Sequence, residues 1–257
     1  MKFPRLNPYY KASLVLVAAA VILVAVAILT DRRDLTSAAM VISSMVCLIT
    51  GIFLATFSSS EPLDTRFVSL LSVQGCINLC RVCADLGISG NACFLPAGRD
   101  GRIRTMQFIP VAGYDGSPVQ GDSFIATPNA AGLVTIPSGE PLYREIREQE
   151  KLVIPKEMAD IATLLSEVGV EVLGIADKVT TEANGPVITV TMEVYRLIGG
   201  CMAVSSESPK CCTTNPCPVC SLLACLVAEG TGRVVQVERC SPDAGEERVT
   251  AVFTLLP

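Results

Sequence analysis

The residues best able to carry chemistry in this 257-residue chain are its twelve cysteines, because the chain contains no histidine. Without histidine there can be no Ser-His-Asp triad, no Cys-His dyad and no imidazole general base. Any metal site would have to use thiolates, carboxylates or backbone oxygens. The positions of the cysteines therefore decide which kinds of chemistry remain open.

A cysteine-rich loop is predicted over residues 199–220, GGCMAVSSESPKCCTTNPCPVC. Its Cys217 and Cys220 form a C-x2-C knuckle just before a helix, and Cys211 and Cys212 lie a few residues upstream. This pattern is typical of zinc or Fe–S sites, so we predict these four as metal ligands, with Cys201 as a further donor. Redox-active or ligand-contacting thiols are an alternative, because a helix N-terminus favours thiolate. The third interpretation is that these cysteines lie in a loop and bind neither a metal nor a ligand.

A second group, Cys76, Cys80 and Cys83, has the spacing of the radical-SAM cluster motif. On a helix these positions fall at i, i+4 and i+7, so the three thiols would share one face. Core packing is the favoured interpretation, since free cysteine is among the most buried residue types. No phosphate-binding loop, dinucleotide fingerprint or G-x-S-x-G motif is present, and no catalytic residue is predicted. A binding role is therefore favoured over an enzyme.

Two long apolar segments near the start predict a transmembrane hairpin over residues 1–57. The spans are 12–30 and 36–57, and each is long enough to cross a hydrocarbon core of about 30 Å. A cleaved signal peptide is disfavoured because a second span follows at once. Lys2, Arg5 and Lys11 precede the first span, which predicts a multi-pass protein of the cell membrane with both termini in the cytoplasm. Residues 58–66 form a short polar tether, which would keep the following domain close to the bilayer.

The rest of the chain predicts a cytosolic α+β domain over residues 67–257, with an antiparallel sheet covered by helices on one face. A helix followed by a β-hairpin recurs three times, and the helices are predicted over Phe67–Leu86, Lys156–Val168 and Val219–Glu229. The domain can be divided into subdomains 67–150 and 151–257. Residues 112–142 predict an extended excursion with short strands, a candidate flap.

The predicted hairpin and the rest of the chain also differ in the sign of their net charge. The first 57 residues carry five basic and two acidic groups, whereas the remainder carries fifteen basic and 23 acidic groups. An acidic domain without a basic stripe is a poor binder of nucleic acid. Nucleic acid is therefore excluded as a partner, and a small molecule or another protein is expected instead.

Several motifs carry a resemblance to known families. The segments LCRVCADLGISGNACFLP, GLVTIPSGEPLY and CPVCSLLACLVAEGTGRVVQVERC, after a two-span hairpin, resemble a family of archaeal, methanogen-type membrane proteins of unknown function. The last forty-odd residues are also similar to the end of 4-vinyl-reductase-type ligand-binding domains. That resemblance implies that Cys217 or Cys220 and Cys240 match the family's cysteines. Its further cysteine is missing, because Val249 and Ala251 occupy that region.

Together these patterns predict a membrane-anchored cytoplasmic domain that binds or senses a small ligand or a protein partner. The alternative is a zinc or Fe–S redox or metal protein at the membrane.

Overall fold

The computed structural model describes residues 8–30, 35–57, 64–121, 123–127, 130–149 and 152–257. They fall into two compact units, Met1–Leu63 and Asp64–Pro257. The predicted turn between the spans and residues 58–63 of the predicted tether lie outside the described residues.

The first unit is an antiparallel pair of apolar helices, α1 (Pro8–Leu29) and α2 (Leu35–Phe57). Small residues let the two helices approach closely. The buried Ser13 hydroxyl donates a hydrogen bond of 2.8 Å to the carbonyl oxygen of Gly51. A Cβ atom on Gly51 would lie 3.0 Å from Cγ2 of Val17. The hairpin is therefore closely packed along its inner seam, while most of its large apolar side chains point outwards.

Four described stretches are long and apolar enough to cross a membrane: Lys11–Leu29, Leu35–Thr56, Thr65–Asp85 and Cys211–Thr231. The first two coincide with the predicted spans, and 11% of each is buried within the structure. The fourth is 78% buried, which is typical of a helix inside a soluble core.

One eight-stranded antiparallel sheet forms the framework of the second unit. Its spatial order is β3-β4-β2-β1-β7-β8-β6-β5. The last hairpin of the chain occupies the centre, because β7 pairs with β1 and β8 pairs with β6. In chain order the strands are β1 (Cys93–Leu95), β2 (Met106–Pro110), β3 (Phe124–Ala126), β4 (Ala131–Thr135), β5 (Lys178–Asn184), β6 (Val187–Glu193), β7 (Val235–Asp243) and β8 (Arg248–Leu255).

Helices cover one face of this sheet. Along β6 and β8, buried residues alternate with half-buried ones, and the buried set packs in the same core as the helices. The predicted α+β class, with helices on one face of an antiparallel sheet, is therefore confirmed. The helices are α3 (Thr65–Leu70), α4 (Val73–Asp85), α5 (Glu140–Gln149), α6 (Met158–Glu167), α7 (Ile198–Glu207), α8 (Cys211–Thr214) and α9 (Pro218–Thr231).

Helix α9 is the centre of the core. Eleven of its fourteen residues are buried, on all sides of the helix. The chain before α5 lies directly on it, since a Cβ on Gly139 would stand 2.3 Å from the backbone nitrogen of Leu222. Likewise, a Cβ on Gly230 would stand 2.7 Å from Cδ1 of Ile161 on α6. Glycine is thus required at two points where neighbouring segments meet α9.

Two predicted elements differ from the structure. The predicted helix Phe67–Leu86 is split at residues 71–72 into α3, which lies on α7, and α4, which contacts both α7 and α8. The predicted loop 199–220 is largely helical, because it contains α7 and α8. The split of the first helix and the helical structure of residues 199–220 both arise from tertiary packing onto neighbouring helices. The local composition of residues 199–220, which is rich in Gly, Ser and Thr, would by itself favour a loop.

The start of the second hairpin also differs. The strand predicted over residues 170–179 begins only at Lys178, because Val168–Val172 continues α6 as a π-helical turn. Gly169, predicted to end the helix, lies inside that turn. The backbone instead adopts a positive φ of +58° at Gly174. The hairpins themselves are confirmed, and the short strands β3 and β4 of the predicted excursion extend the sheet by pairing β4 with β2.

Candidate functional site

The structure gathers eight cysteines into two neighbouring clusters. Five of them line one cavity of about 10 Å³, which is at the lower limit for a single water molecule. We call these the inner thiol cluster: Cys201, Cys212, Cys217, Cys220 and Cys240. Three others form the outer thiol cluster: Cys76, Cys80 and Cys211.

Helix α9 explains why Cys217 and Cys220 meet. Cys217 is the N-cap residue, Pro218 occupies the first helical position, and the carbonyl of Cys217 accepts the first helical hydrogen bond from Ser221 at 2.8 Å. Cys220 is then the third helical residue. Side chains at the N-cap and at this third position face each other across the first turn, as in a capping box. The C-x2-C spacing therefore brings the two thiols together by local geometry.

The environment distinguishes Cys217 from its neighbours. Cys217 is half-buried, whereas Cys201 and Cys220 are buried. Hydrogen bonds from the thiols of Cys201 and Cys220 lower the pKa of Cys217 well below its usual value. The same hydrogen bonds raise the pKa values of Cys201 and Cys220, because each donor keeps its proton. The arrangement therefore favours one thiolate, on Cys217, stabilised by two neutral thiols.

Cys240 reaches the inner thiol cluster through an irregularity in β7. Val235 and Val237 point into the helix-covered core. The register then shifts between Val237 and Arg239, so that Cys240 lies opposite the buried Ala251 on the same face. A β-bulge of this kind reverses the alternation of the strand. Cys240 was not among the predicted metal ligands, because the bulge has no clear signature in the residues.

One of the predicted metal ligands, Cys211, lies in the outer thiol cluster, apart from the other predicted ligands. The Cys80 thiol donates a hydrogen bond of 3.6 Å to the carbonyl oxygen of Cys211. Cys76 packs in the same small core, and burial raises its pKa to about 12. Cys212 contacts both clusters, and burial raises its pKa to about 12 as well. Cys201, Cys212, Cys217 and Cys220 are thus together, and Cys211 is with Cys76 and Cys80.

The third cysteine of the C-x3-C-x2-C motif is separate from the outer thiol cluster. Cys83 packs with Ile88 and Ile109 in a different part of the core. The three cysteines therefore contribute to core packing, at two places, as the favoured interpretation expected.

No group of three or more His, Cys, Asp and Glu side chains is arranged to hold a metal ion among the described residues. The soft thiol donors of the inner thiol cluster match the ligand preference of zinc and Fe–S centres. Their positions, however, are those of a hydrogen-bonded thiol group.

An apolar groove of about 350 Å³ lies beside the inner thiol cluster. Cys201 and Cys217 line both the groove and the small thiol cavity. Among the described residues, no charged side chain lines the groove. Its other walls come from five parts of the domain, namely α3 and the start of α4 (Val68, Ser69, Leu71, Ser72, Val73), α5 (Leu142), the segment before β5 (Leu173, Ile175), α7 with the residues before it (Tyr195, Leu197, Gly200, Val204) and α9 (Pro218, Val219).

One wall of the groove depends on a close approach between α3 and α7. A Cβ on Gly200 would stand 2.1 Å from the carbonyl oxygen of Ser69. The Ser69 hydroxyl donates a hydrogen bond of 2.8 Å to the carbonyl oxygen of Arg66. Beyond this contact, α3 leaves Phe67, Leu70 and Leu71 exposed. The groove is therefore bordered by an apolar surface of α3.

A polar cavity of about 360 Å³ lies on another side of α9. Glu229 accepts hydrogen bonds there from the backbone nitrogen of Ala97, at 2.9 Å, and from the Thr105 hydroxyl. Two arginines and two further glutamates also line it, namely Arg144, Arg147, Glu140 and Glu148. The cavity is therefore lined by charges of both signs, and its lining favours neither an anionic nor a cationic ligand.

The fold and site define an α+β protein with a hairpin of two apolar helices and a set of free thiols beside an apolar groove. The family described as Domain of unknown function (DUF7982) matches residues 5–253, so the chain belongs to that family. No curated protein and no solved structure matches it. The family match agrees with the expected family of unknown function, whereas the archaeal source and the 4-vinyl-reductase-type resemblance stay predictions.

Proposed function

We propose that this protein is a membrane-anchored binding domain whose apolar groove takes a small apolar or amphiphilic molecule. The observation that carries the proposal is the groove itself, which has a volume of about 350 Å³ and, in the part of the chain that the structure describes, is lined by uncharged residues alone. Ligand sites are typically clefts of roughly 300–1,000 Å³ with mostly apolar walls. The groove is at the lower end of this range.

The lining also limits the chemistry of the ligand. Ser69, Ser72 and Cys217 are among the few polar groups available. A buried charge would have no partner there, and burying an unpaired charge is costly. The ligand is therefore neutral, or it is an amphiphile whose charged end remains in solvent.

Anchoring by α1 and α2 supports the proposal. These two helices expose large apolar side chains, as lipid-facing helices do. The other two apolar stretches have partners in the domain instead, since α9 is core and Arg81 of α4 forms an ion pair with Glu207 of α7. A two-span topology with both termini in the cytoplasm follows from the Lys and Arg distribution. Only residues 58–63 separate α2 from the domain, a reach of roughly 20 Å.

Binding of dansyl-undecanoic acid to the full chain in phosphatidylcholine nanodiscs tests the proposal. We expect saturable binding to loaded nanodiscs and only linear partitioning into empty ones. Ser72→Phe places a ring in the groove and should weaken the affinity by about tenfold. Ser206→Phe, on an exposed part of α7 outside the groove, is the matched control. Linear partitioning alone, or equal affinities for both variants, would contradict the proposal.

A zinc or Fe–S protein remains the second candidate, as a prediction for Cys211, Cys212, Cys217, Cys220 and Cys201. It is favoured by one observation: four of these five cysteines, all except Cys211, converge with Cys240 on a single small cavity. Anaerobic purification of the full chain, followed by metal analysis and an absorption spectrum, tests it. Stoichiometric zinc or iron that is lost when Cys217 and Cys220 are changed to Ser would establish the metal site.

A further inference from the structure

We propose that Cys217 and Cys220 form a redox-active dithiol that reduces a small apolar disulfide entering through the groove. The proposal rests on the groove being open to small molecules, as proposed above. It adds a reaction and a substrate class to that site.

Position makes Cys217 the nucleophile. It is the half-buried member of the C-x2-C pair, and its side chain lines the apolar groove. It also caps the N-terminus of the fourteen-residue helix α9, where the helix dipole favours a negative sulfur. Cys217 is thus a sulfur at a helix N-terminus that a molecule in the groove can contact.

Cys220 has the complementary position of a resolving thiol. It is 2% exposed and lines the closed thiol cavity, but it does not line the groove. One turn of α9 separates it from Cys217, so the two sulfurs can pair without a change of fold. A substrate in the groove would therefore meet Cys217 first, and Cys220 could react only with the product of that step.

The reaction is an exchange of thiols and disulfides. The Cys217 thiolate attacks one sulfur of a disulfide R–S–S–R, forming a Cys217–S–S–R bond and releasing RS⁻. Cys220 then transfers its proton to that RS⁻ and attacks the Cys217 sulfur, which forms the Cys217–Cys220 disulfide and releases the second RS⁻. The second RS⁻ takes a proton from water. The dithiol is oxidised by two electrons, and the disulfide is reduced to two thiols.

Cys201 also contacts Cys217 and is the competing partner. Unlike Cys220, it lines the groove as well as the thiol cavity. It lies on α7, so its distance from Cys217 depends on how α7 and α9 pack. Cys220 lies on the same helix turn as Cys217, which holds their spacing constant. We therefore assign Cys220 as the resolving thiol and Cys201 as a positioning residue that lines the same two cavities as Cys217.

Stopped-flow reaction of the reduced full chain in nanodiscs with 2,2′-dipyridyl disulfide, an apolar aromatic disulfide, tests the proposal. The wild-type chain should release about two equivalents of thiopyridone in a fast phase and keep no pyridyl adduct. Cys220→Ser should stop at about one equivalent, with a stable adduct on Cys217. Cys217→Ser should lose the fast phase. The matched control is Cys225→Ser, on the same helix but in the core, which should behave as wild type.

Fragment mapping of the wild-type product by mass spectrometry tests the pairing without any variant. A Cys217–Cys220 bond is expected after one equivalent of oxidant. A fast phase at another cysteine, a Cys201–Cys217 bond, or stoichiometric metal that blocks the reaction until a chelator is added would each overturn the proposal. Fatty-acid binding without a fast thiol reaction would overturn the dithiol alone. Failure of both readouts would overturn the proposed function as well.

Discussion

At the scale of single residues, identical side chains behave differently because their surroundings differ. Cys217 and Cys76 are both free thiols. Thiol hydrogen bonds lower the pKa of Cys217, whereas burial raises the pKa of Cys76 to about 12. The reactivity of a thiol follows its thiolate fraction, so Cys217 alone of the two is prepared to react near neutral pH.

Alkylation by iodoacetamide as a function of pH checks this difference. Because its pKa is lowered, Cys217 should remain thiolate at pH values below the ordinary thiol pKa, and its rate should fall only when the pH drops through the lowered value. Cys201→Ala removes the strongest stabilising hydrogen bond, so the midpoint should move to higher pH. The rate at neutral pH should then fall several-fold. Site-resolved mass spectrometry measures both, with Cys225→Ala as control; an unchanged midpoint in Cys201→Ala would refute the assigned cause.

Gly200→Ala tests the close contact between α3 and α7. Its new Cβ would stand 2.1 Å from a backbone oxygen, which a side-chain rotation cannot relieve. We expect a loss of about 3 kcal/mol in stability, seen as a melting temperature lower by about 10 °C in detergent. Gly199→Ala is the matched control, because its Cβ meets only the Ser69 hydroxyl at 3.4 Å. Equal melting temperatures for the two variants would show that the helices are not in close contact.

At the scale of elements, two irregularities position the site. The bulge in β7 turns Cys240 towards α9, and Pro242 follows it onto the same cavity. The π-helical turn after α6 brings Leu173 and Ile175 to the groove. Both are local departures from regular geometry at the edge of a cavity, which is where such irregularities are often found.

A double-mutant cycle tests the packing of the π-helical turn. A Cβ on Gly169 would stand 2.7 Å from Cγ2 of Val179 on β5. Gly169→Ala should therefore destabilise the fold by about 2 kcal/mol. Because the clash is with a side chain, adding Val179→Ala should recover about 1 kcal/mol relative to additivity. The melting temperatures of the four proteins measure the coupling, and strictly additive effects would mean that the two positions do not touch.

At the scale of the whole molecule, the domain carries an apolar surface near the beginning of its chain. Phe67 of α3 is 72% exposed, and Leu70 and Leu71 are exposed beside it. This surface borders the groove, so the walls of the groove and its surroundings both favour an apolar ligand.

A single tryptophan tests whether this apolar surface of α3 contacts lipid, because the natural chain contains no tryptophan. Phe67→Trp in nanodiscs with brominated lipid should lose about half of its emission, as expected for an indole at the lipid interface. Ile103→Trp, at a position that is 95% exposed and does not line the groove, should keep its emission. Equal emission from the two variants would place α3 away from the lipid.

Sequence patterns predicted most of the elements, because long periodic segments and glycine stops are local signals. Gly87 and Gly232, which follow the ends of α4 and α9, adopt φ values of +70° and +65°, where glycine is favoured. The three hairpins are confirmed for the same reason, since alternation and turn residues specify them locally. The segment 199–220 was predicted as a loop, because its composition is that of a loop and only packing on α3 and α4 makes it helical.

In the candidate site, too, some features follow from the local sequence and others from tertiary contacts. The pairing of Cys217 with Cys220 follows from the sequence alone, because a C-x2-C at a helix start brings both thiols to one turn. The apolar hairpin also follows from composition and length. Only the tertiary structure decided that Cys201 and Cys240 join that pair, that Cys211 does not, and that a groove lies beside them. Those contacts depend on a strand bulge and on glycine-mediated helix packing between residues more than one hundred positions apart, for example Ser69 and Gly200, and no local pattern encodes such distances.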